Sequence, residues 1–203
     1  MTSEGALGFI ALAATLVLAA ASWVVVVRQT GGMDIGAATE LGSFASFIGY
    51  WVPMTTAMML PGAAPAALRG ARVRSMPLFV GSYLAVWTLV GVAVYALYRP
   101  HGSFAAGAFT VAAGLYELTW FKRACRRRCQ EQLRSGFEFG LVCVGSCIGL
   151  MLMLVALGVM SITWMSLIAA LVVTQKRVPE HRAIDVPVAL AIVALGIAVT
   201  ADL

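Results

Sequence analysis

The sequence predicts an all-α, polytopic membrane helix bundle, a single transmembrane domain over residues 1–203 with a cytoplasmic N-terminus. It predicts about seven transmembrane helices, with six as the alternative count. Three observations carry this reading. Hydrophobic residues make up 61% of the chain and charged residues 11%, whereas soluble globular chains carry about 25% charge. Several charge-free runs reach the roughly 20 residues that a helix needs to cross a bilayer. The basic residues also fall in alternate connections, as they do where cytoplasmic loops are positive.

The expected spans follow in order. The first is Ala6–Val27, without a charge. Its Glu-bearing start and long apolar run are unlike a signal peptide. The second, Phe44–Leu60, carries Pro53 and reaches Pro61 and Pro65. Proline removes a backbone donor, so this helix either ends near Pro61 or is broken where it lines a cavity. The third is Pro77–Tyr98, and the fourth is Phe104–Phe121 with one acid, Glu117. From Phe139 to Gln175 there are 37 residues without a charge, too many for one span, so a division near Gly158–Ser161 gives a fifth and a sixth. The seventh is Val186–Ala201, opened by Pro187 in its first turn, where proline costs least.

The even connections hold Arg69, Arg72 and Arg74; Lys122, Arg123, Arg126, Arg127, Arg128 and Arg134; and Lys176, Arg177 and Arg182. The odd ones hold only Arg28 and Arg99. This asymmetry places the N-terminus and the even loops in the cytoplasm. The net charge of +5 then reflects topology and not a nucleic-acid partner. The expected surroundings are membrane lipid and a bacterial inner membrane.

The chemistry concentrates between Phe121 and Met151, which hold all four cysteines as Cys125-x3-Cys129 and Cys143-x3-Cys147. Residues four apart share a helix face, so a helical hairpin could gather four thiols at the membrane edge. A reducing cytoplasm disfavours a disulfide there, and four thiolates suit Cu(I), Zn(II) or an iron–sulfur cluster. The neighbouring Lys122, Arg123, Arg126, Arg127 and Arg128 are expected to lower the thiol pKa values. Alternatively, Cys143 and Cys147 are small apolar fillers and the basic residues only a topology signal. Met54 and Met58 also share a face, and thioethers select Cu(I) over hard cations, although methionine is a common gap filler. Met151, Met153, Met160 and Met165 add soft sulfur further on. The candidate metal ligands are thus Cys125, Cys129, Cys143, Cys147, Met54 and Met58, with Cu(I) favoured over Zn(II). Glu117 is expected to pair with Lys122 or Arg123, or to snorkel to water. His101 and His181 are weak ligand candidates. No Ser–His–Asp order, phosphate loop or carboxylate pair stands out, so no catalytic residue is assigned.

Two sets of motifs then resemble a known family. The first is W-x2-M-x3-MM-x-P-x3-P, at Trp51, Met54, Met58, Met59, Pro61 and Pro65. The second is G-x-Y-x-L-T-x2-K-x2-C-x3-C from Gly114 to Cys129, followed by Gly140, Cys143, Cys147 and Met151. With Trp164, Met165 and Lys176 they resemble a bacterial family of unknown function whose members are predicted metal-binding integral membrane proteins. The resemblance runs from about residue 40 onward and implies metal handling without naming the metal. It leads one to expect glutamine at Glu117, proline at Trp120 and a further cysteine at Ser146, so the second thiol group is poorer here. The Met-x3-Met element is also similar to the methionine pair of eukaryotic copper-uptake transporters, as a short pattern and not a fold.

Three functions are compatible with these features. The first is a Cu(I)-binding membrane protein that transports the ion or delivers it to a larger membrane complex or copper enzyme. The second is a metal-free accessory subunit of a larger membrane complex. The third is a membrane thiol oxidoreductase, disfavoured by the x3 spacing and the reducing compartment.

Overall fold

The protein is described by a computed structural model over residues 3–30, 41–70, 75–98, 102–131, 135–158, 161–177 and 182–201, with side chains for all of these except residues 3–8, 67–70 and 182–184. Among the described residues all the regular structure is helical, in eight α-helices: α1 (Ser3–Thr30), α2 (Phe44–Gly70), α3 (Met76–Leu97), α4 (Ser103–Glu117), α5 (Trp120–Gln130), α6 (Gly136–Gly158), α7 (Ile162–Arg177) and α8 (Arg182–Ala201). Three stretches are long and apolar enough to cross a membrane: Phe9–Thr30 in α1, Met76–Leu97 in α3 and Gly136–Gly158 in α6. Asp185–Ala201 of α8 is apolar but shorter. Helices α4 and α7 have 15 and 16 residues, below the roughly 20 of a perpendicular span. Arg72, Arg74, Arg99, Arg134, His101, His181 and Met160, and the side chains of Arg69 and Arg182, lie outside the described residues.

Helix α6 is the axis of the bundle: α3, α4, α5 and α7 all pack on it. Its sequence contains no charge after Glu138 and a buried face from Phe139 to Leu157. Around it, α1 packs on α2, α2 on α3 and α7, and α4 on α8. The α4–α8 contact depends on small residues, since a Cβ on Gly107 would sit 2.6 Å from the Gly196 carbonyl oxygen. Small residues let the two backbones approach this closely.

Two expectations need correction. Helix α2 neither ends nor breaks at Pro61; it runs through Pro53, Pro61 and Pro65 to Gly70. Its interior is held by neighbours, with the Trp51 indole Nε1 donating to the Trp87 carbonyl at 2.9 Å, and enclosed helices tolerate the donors that proline removes. The fourth helix does not extend to Phe121. It stops at Glu117, and Thr119 begins a new helix by accepting from the Lys122 backbone N–H at 3.3 Å. Trp120 is the first residue of α5, the position proline favours, so the departure from the expected proline leaves the geometry intact.

Helix α5 is short and highly charged, yet Lys122, Arg126 and Cys129 are buried along one face while Arg127 and Arg128 are exposed. Two buried cations need partners. Lys122 forms an ion pair with Glu117 and donates to Gln175 Oε1 at 3.1 Å, and Gln175 Nε2 donates to Glu117 Oε2 at 2.8 Å. Arg126 donates to the Gln175 carbonyl and to Asp185 Oδ1, each at 2.6 Å. Glu117 therefore pairs with Lys122, as one expected alternative had it, but is buried and does not snorkel. Arg123 turns instead to the carbonyls of Leu118 and Thr119. The network joins α4, α5, α7 and α8 and fixes α5 against α6.

Replacing Asp185 by alanine leaves Arg126 without its carboxylate. We expect a loss of about 3 kcal/mol, the range for breaking one partner of a buried pair, read as a lowered thermal midpoint in detergent; Asp185→Asn should cost less. Gly107→Val should separate α4 from α8 and cost about 1–3 kcal/mol by overpacking, measured the same way.

Candidate functional site

The site begins with helical spacing. Cys143 and Cys147 are four apart on α6 and both buried. Ser146 lies beside them. Its Oγ donates to the Cys143 carbonyl at 2.9 Å and sits 3.4 Å from Cys147 Sγ. From α5, Cys129 comes down onto the same point, its Sγ 3.7 Å from Ser146 Oγ. The Ser146 hydroxyl thus stands between two thiols, at the position where the resembled family leads one to expect a third sulfur on α6.

Cys125 lies one turn earlier on α5 and is only half-buried. It packs over Gly145, where an added Cβ would sit 2.6 Å from its Sγ. Tyr116 donates to the Gly145 carbonyl at 2.6 Å on this side. So the Ser146 hydroxyl links Cys129 to Cys147, with Cys143 one turn before Cys147 on α6, and Cys125 lies against Gly145. Among the described residues, no group of three or more His, Cys, Asp and Glu side chains is arranged to hold a metal ion. The four cysteines are free thiols.

The Cys143 sulfur is already engaged. Lys176, in the last turn of α7, donates from Nζ to Cys143 Sγ at 3.0 Å, and the Tyr83 hydroxyl of α3 lies 3.3 Å from it. The Lys176 amine also lies 5.8 Å from the centre of the Phe139 ring. The lysine stem crosses α2 at Gly62, where a Cβ would stand 2.8 Å from its Cδ. Next to it is a cavity of about 470 Å³, lined by Gly62, Pro65, Ala66, Cys129, Gln130, Phe139, Lys176 and Arg177. The thiols thus lie at the end of the bundle where α2 and α7 finish and α6 begins.

Met54 and Met58 are completely buried and belong to the same contiguous core as Cys129, Cys143, Cys147, Met151 and Met153. Met58 precedes Gly62 by four residues, so it lies on the face of α2 that meets Lys176, one turn deeper. Met165 accepts from the Tyr50 hydroxyl at 3.1 Å, which gives that sulfur a structural task.

The basic residues of α5 do not set its thiols as the sequence suggested. Burial raises the Cys129 pKa to about 12, reinforced by the nearby Cys143 sulfur; Lys176 and the Ser146 hydroxyl act the other way. Burial also raises Cys125, against a smaller opposing effect of Arg128. Lys122 and Arg126 are committed to Glu117 and Asp185, so their charge is not directed at sulfur.

Sequence reasoning passed over three members of this site. Tyr83 gave no signal, because an isolated tyrosine in an apolar run reads as core. Ser146 registered only as a departure from the expected motif, and Lys176 only as part of a motif and of a basic loop.

The cavity, the soft sulfur and a cation resting on one of the thiols together suit a cationic, thiophilic cargo. A family model described as PpoB2, copper chaperone, matches residues 48–199, a stretch that contains every residue of the site. No curated protein and no solved structure matches the chain. The match covers most of the sequence, and the chain belongs to the PpoB2 copper chaperone family.

Proposed function

We propose that this protein is a membrane-embedded Cu(I) chaperone that holds the ion with Cys129, Cys143 and Cys147 and delivers it to a membrane partner such as a copper enzyme. The observation that carries this reading is the meeting of thiols from α5 and α6 around Ser146, beside a cavity at one end of the bundle. Soft thiolates favour Cu(I), and low coordination numbers suit an ion that must be handed on. Met54 and Met58 would offer a second, weaker group of sulfurs deeper in the bundle. Cys125 would be an outer ligand, half-buried against Gly145.

The same reading places the chain in the bacterial inner membrane, with about seven spans and a cytoplasmic N-terminus. Helices α1, α3 and α6 support a membrane location by length and apolarity. The ends of α2 and α7 and the start of α6 meet at one cavity, which supports the alternation of the connections. The thiols then face the cytoplasm, where they stay reduced and can receive copper.

The absence of a ready-made three-ligand group among the described residues favours a second reading, a metal-free accessory subunit. Elemental analysis separates the two. The detergent-purified protein loaded with Cu(I) under reducing conditions should retain about one copper, as expected for a single thiolate centre. The triple variant Cys129→Ser, Cys143→Ser, Cys147→Ser should retain none, and Cys125→Ser should retain most of it. Equal copper in the triple variant and the parent would reject the thiol site. Separately, the protein should stay with bacterial membranes after alkaline carbonate extraction; release into the supernatant would reject the membrane location.

A further inference from the structure

We infer that Lys176 is the counter-cation of the Cys143 sulfur: it holds that sulfur until copper arrives, and loading moves it into the adjacent cavity. The inference rests on the copper-binding reading above and deepens it. Buried cations elsewhere at this end of the bundle are matched to carboxylates, Lys122 to Glu117 and Arg126 to Asp185. Lys176 is placed differently. Its amine reaches the Cys143 sulfur at 3.0 Å and the face of the Phe139 ring. Its half-buried amine donates to sulfur where the other two cations meet oxygen. The same sulfur is the one a soft metal ion would take, so lysine and copper compete for one sulfur atom.

The surroundings allow the exchange. Lys176 is partly exposed and lines the cavity of about 470 Å³ shared with Gly62, Pro65, Ala66 and Cys129. Its position one residue before the end of α7 puts its flexible stem at the helix terminus. Gly62 leaves the passage open, since a Cβ there would stand 2.8 Å from Lys176 Cδ. In the exchange the hydrogen bond from Lys176 Nζ to Cys143 Sγ breaks, copper–sulfur bonds form at Cys143, Cys129 and Cys147, and the thiol protons displaced by copper pass to water in the cavity. The proton stays on the amine, which is rehydrated in the cavity, and copper remains Cu(I), so nothing is oxidised or reduced. Replacing one cation by another keeps the charge beside Cys143 balanced, which lowers the cost of both uptake and release.

The chain has two lysines, Lys122 and Lys176, which makes the test direct. The full-length protein in detergent is treated with an amine-acetylating reagent, with and without one equivalent of Cu(I). Acetylation is read at each lysine by mass spectrometry, and bound copper is measured on the same samples. Lys122, locked to Glu117, serves as the internal reference. We expect copper to raise Lys176 acetylation several-fold with Lys122 unchanged, and Cys143→Ser to raise it without copper. Stoichiometric copper with unchanged or lower Lys176 acetylation would overturn the exchange while leaving the chaperone reading in place. Absence of bound copper would reject both, and unchanged Lys176 acetylation in Cys143→Ser would reject the lysine–sulfur pairing itself.

Discussion

The site depends on laying a charged helix against an apolar one. Helix α5 buries Lys122 and Arg126, and a buried cation without a partner is among the most costly defects a fold can carry. Glu117, Gln175 and Asp185 remove that cost from three different helices. The result is a clamp that leaves α5 one position on α6. Cys129 is on the clamped face of α5, so the same interactions that neutralise the cations also deliver its sulfur to Ser146.

The thiol group is therefore assembled by electrostatics but kept by packing. Gly145 admits Cys125 and receives the Tyr116 hydroxyl at its carbonyl, which lets α4 and α5 come close to α6. Gly62 does the same for the Lys176 stem against α2. A side chain at either position would push a helix or a long side chain away from the sulfurs. Small residues thus decide which groups reach the centre, while Tyr83 and Phe139 pack beside it.

Much of this was legible along the chain and some was not. The helical character, the apolar runs of α1, α3 and α6, and the shared faces of Cys143 with Cys147 and Met54 with Met58 follow from composition and a period of 3.6 residues. The break after Glu117 was hidden, because the apolar run continues through Leu118, Trp120 and Phe121 and hydropathy does not register one capping threonine. The continuity of α2 was hidden for the opposite reason: three prolines advertise an end that neighbouring helices overrule. Sequence also treated the basic residues of α5 as one local field acting on the nearest thiols. The fold sends two of them to carboxylates instead, and burial then dominates at Cys125 and Cys129.

By itself the sequence determined what kind of atoms are available and which of them share a helix face. Four thiols in two equal spacings and a methionine pair are properties of order along the chain, and helical periodicity turns them into faces. Only the tertiary structure decided that Cys129 of α5 and Cys147 of α6 share the Ser146 hydroxyl. It also brought Lys176 to Cys143 from 33 residues away. Such pairings depend on how closely backbones approach and on which buried charge needs which partner, and neither quantity exists until helices distant in sequence are packed together.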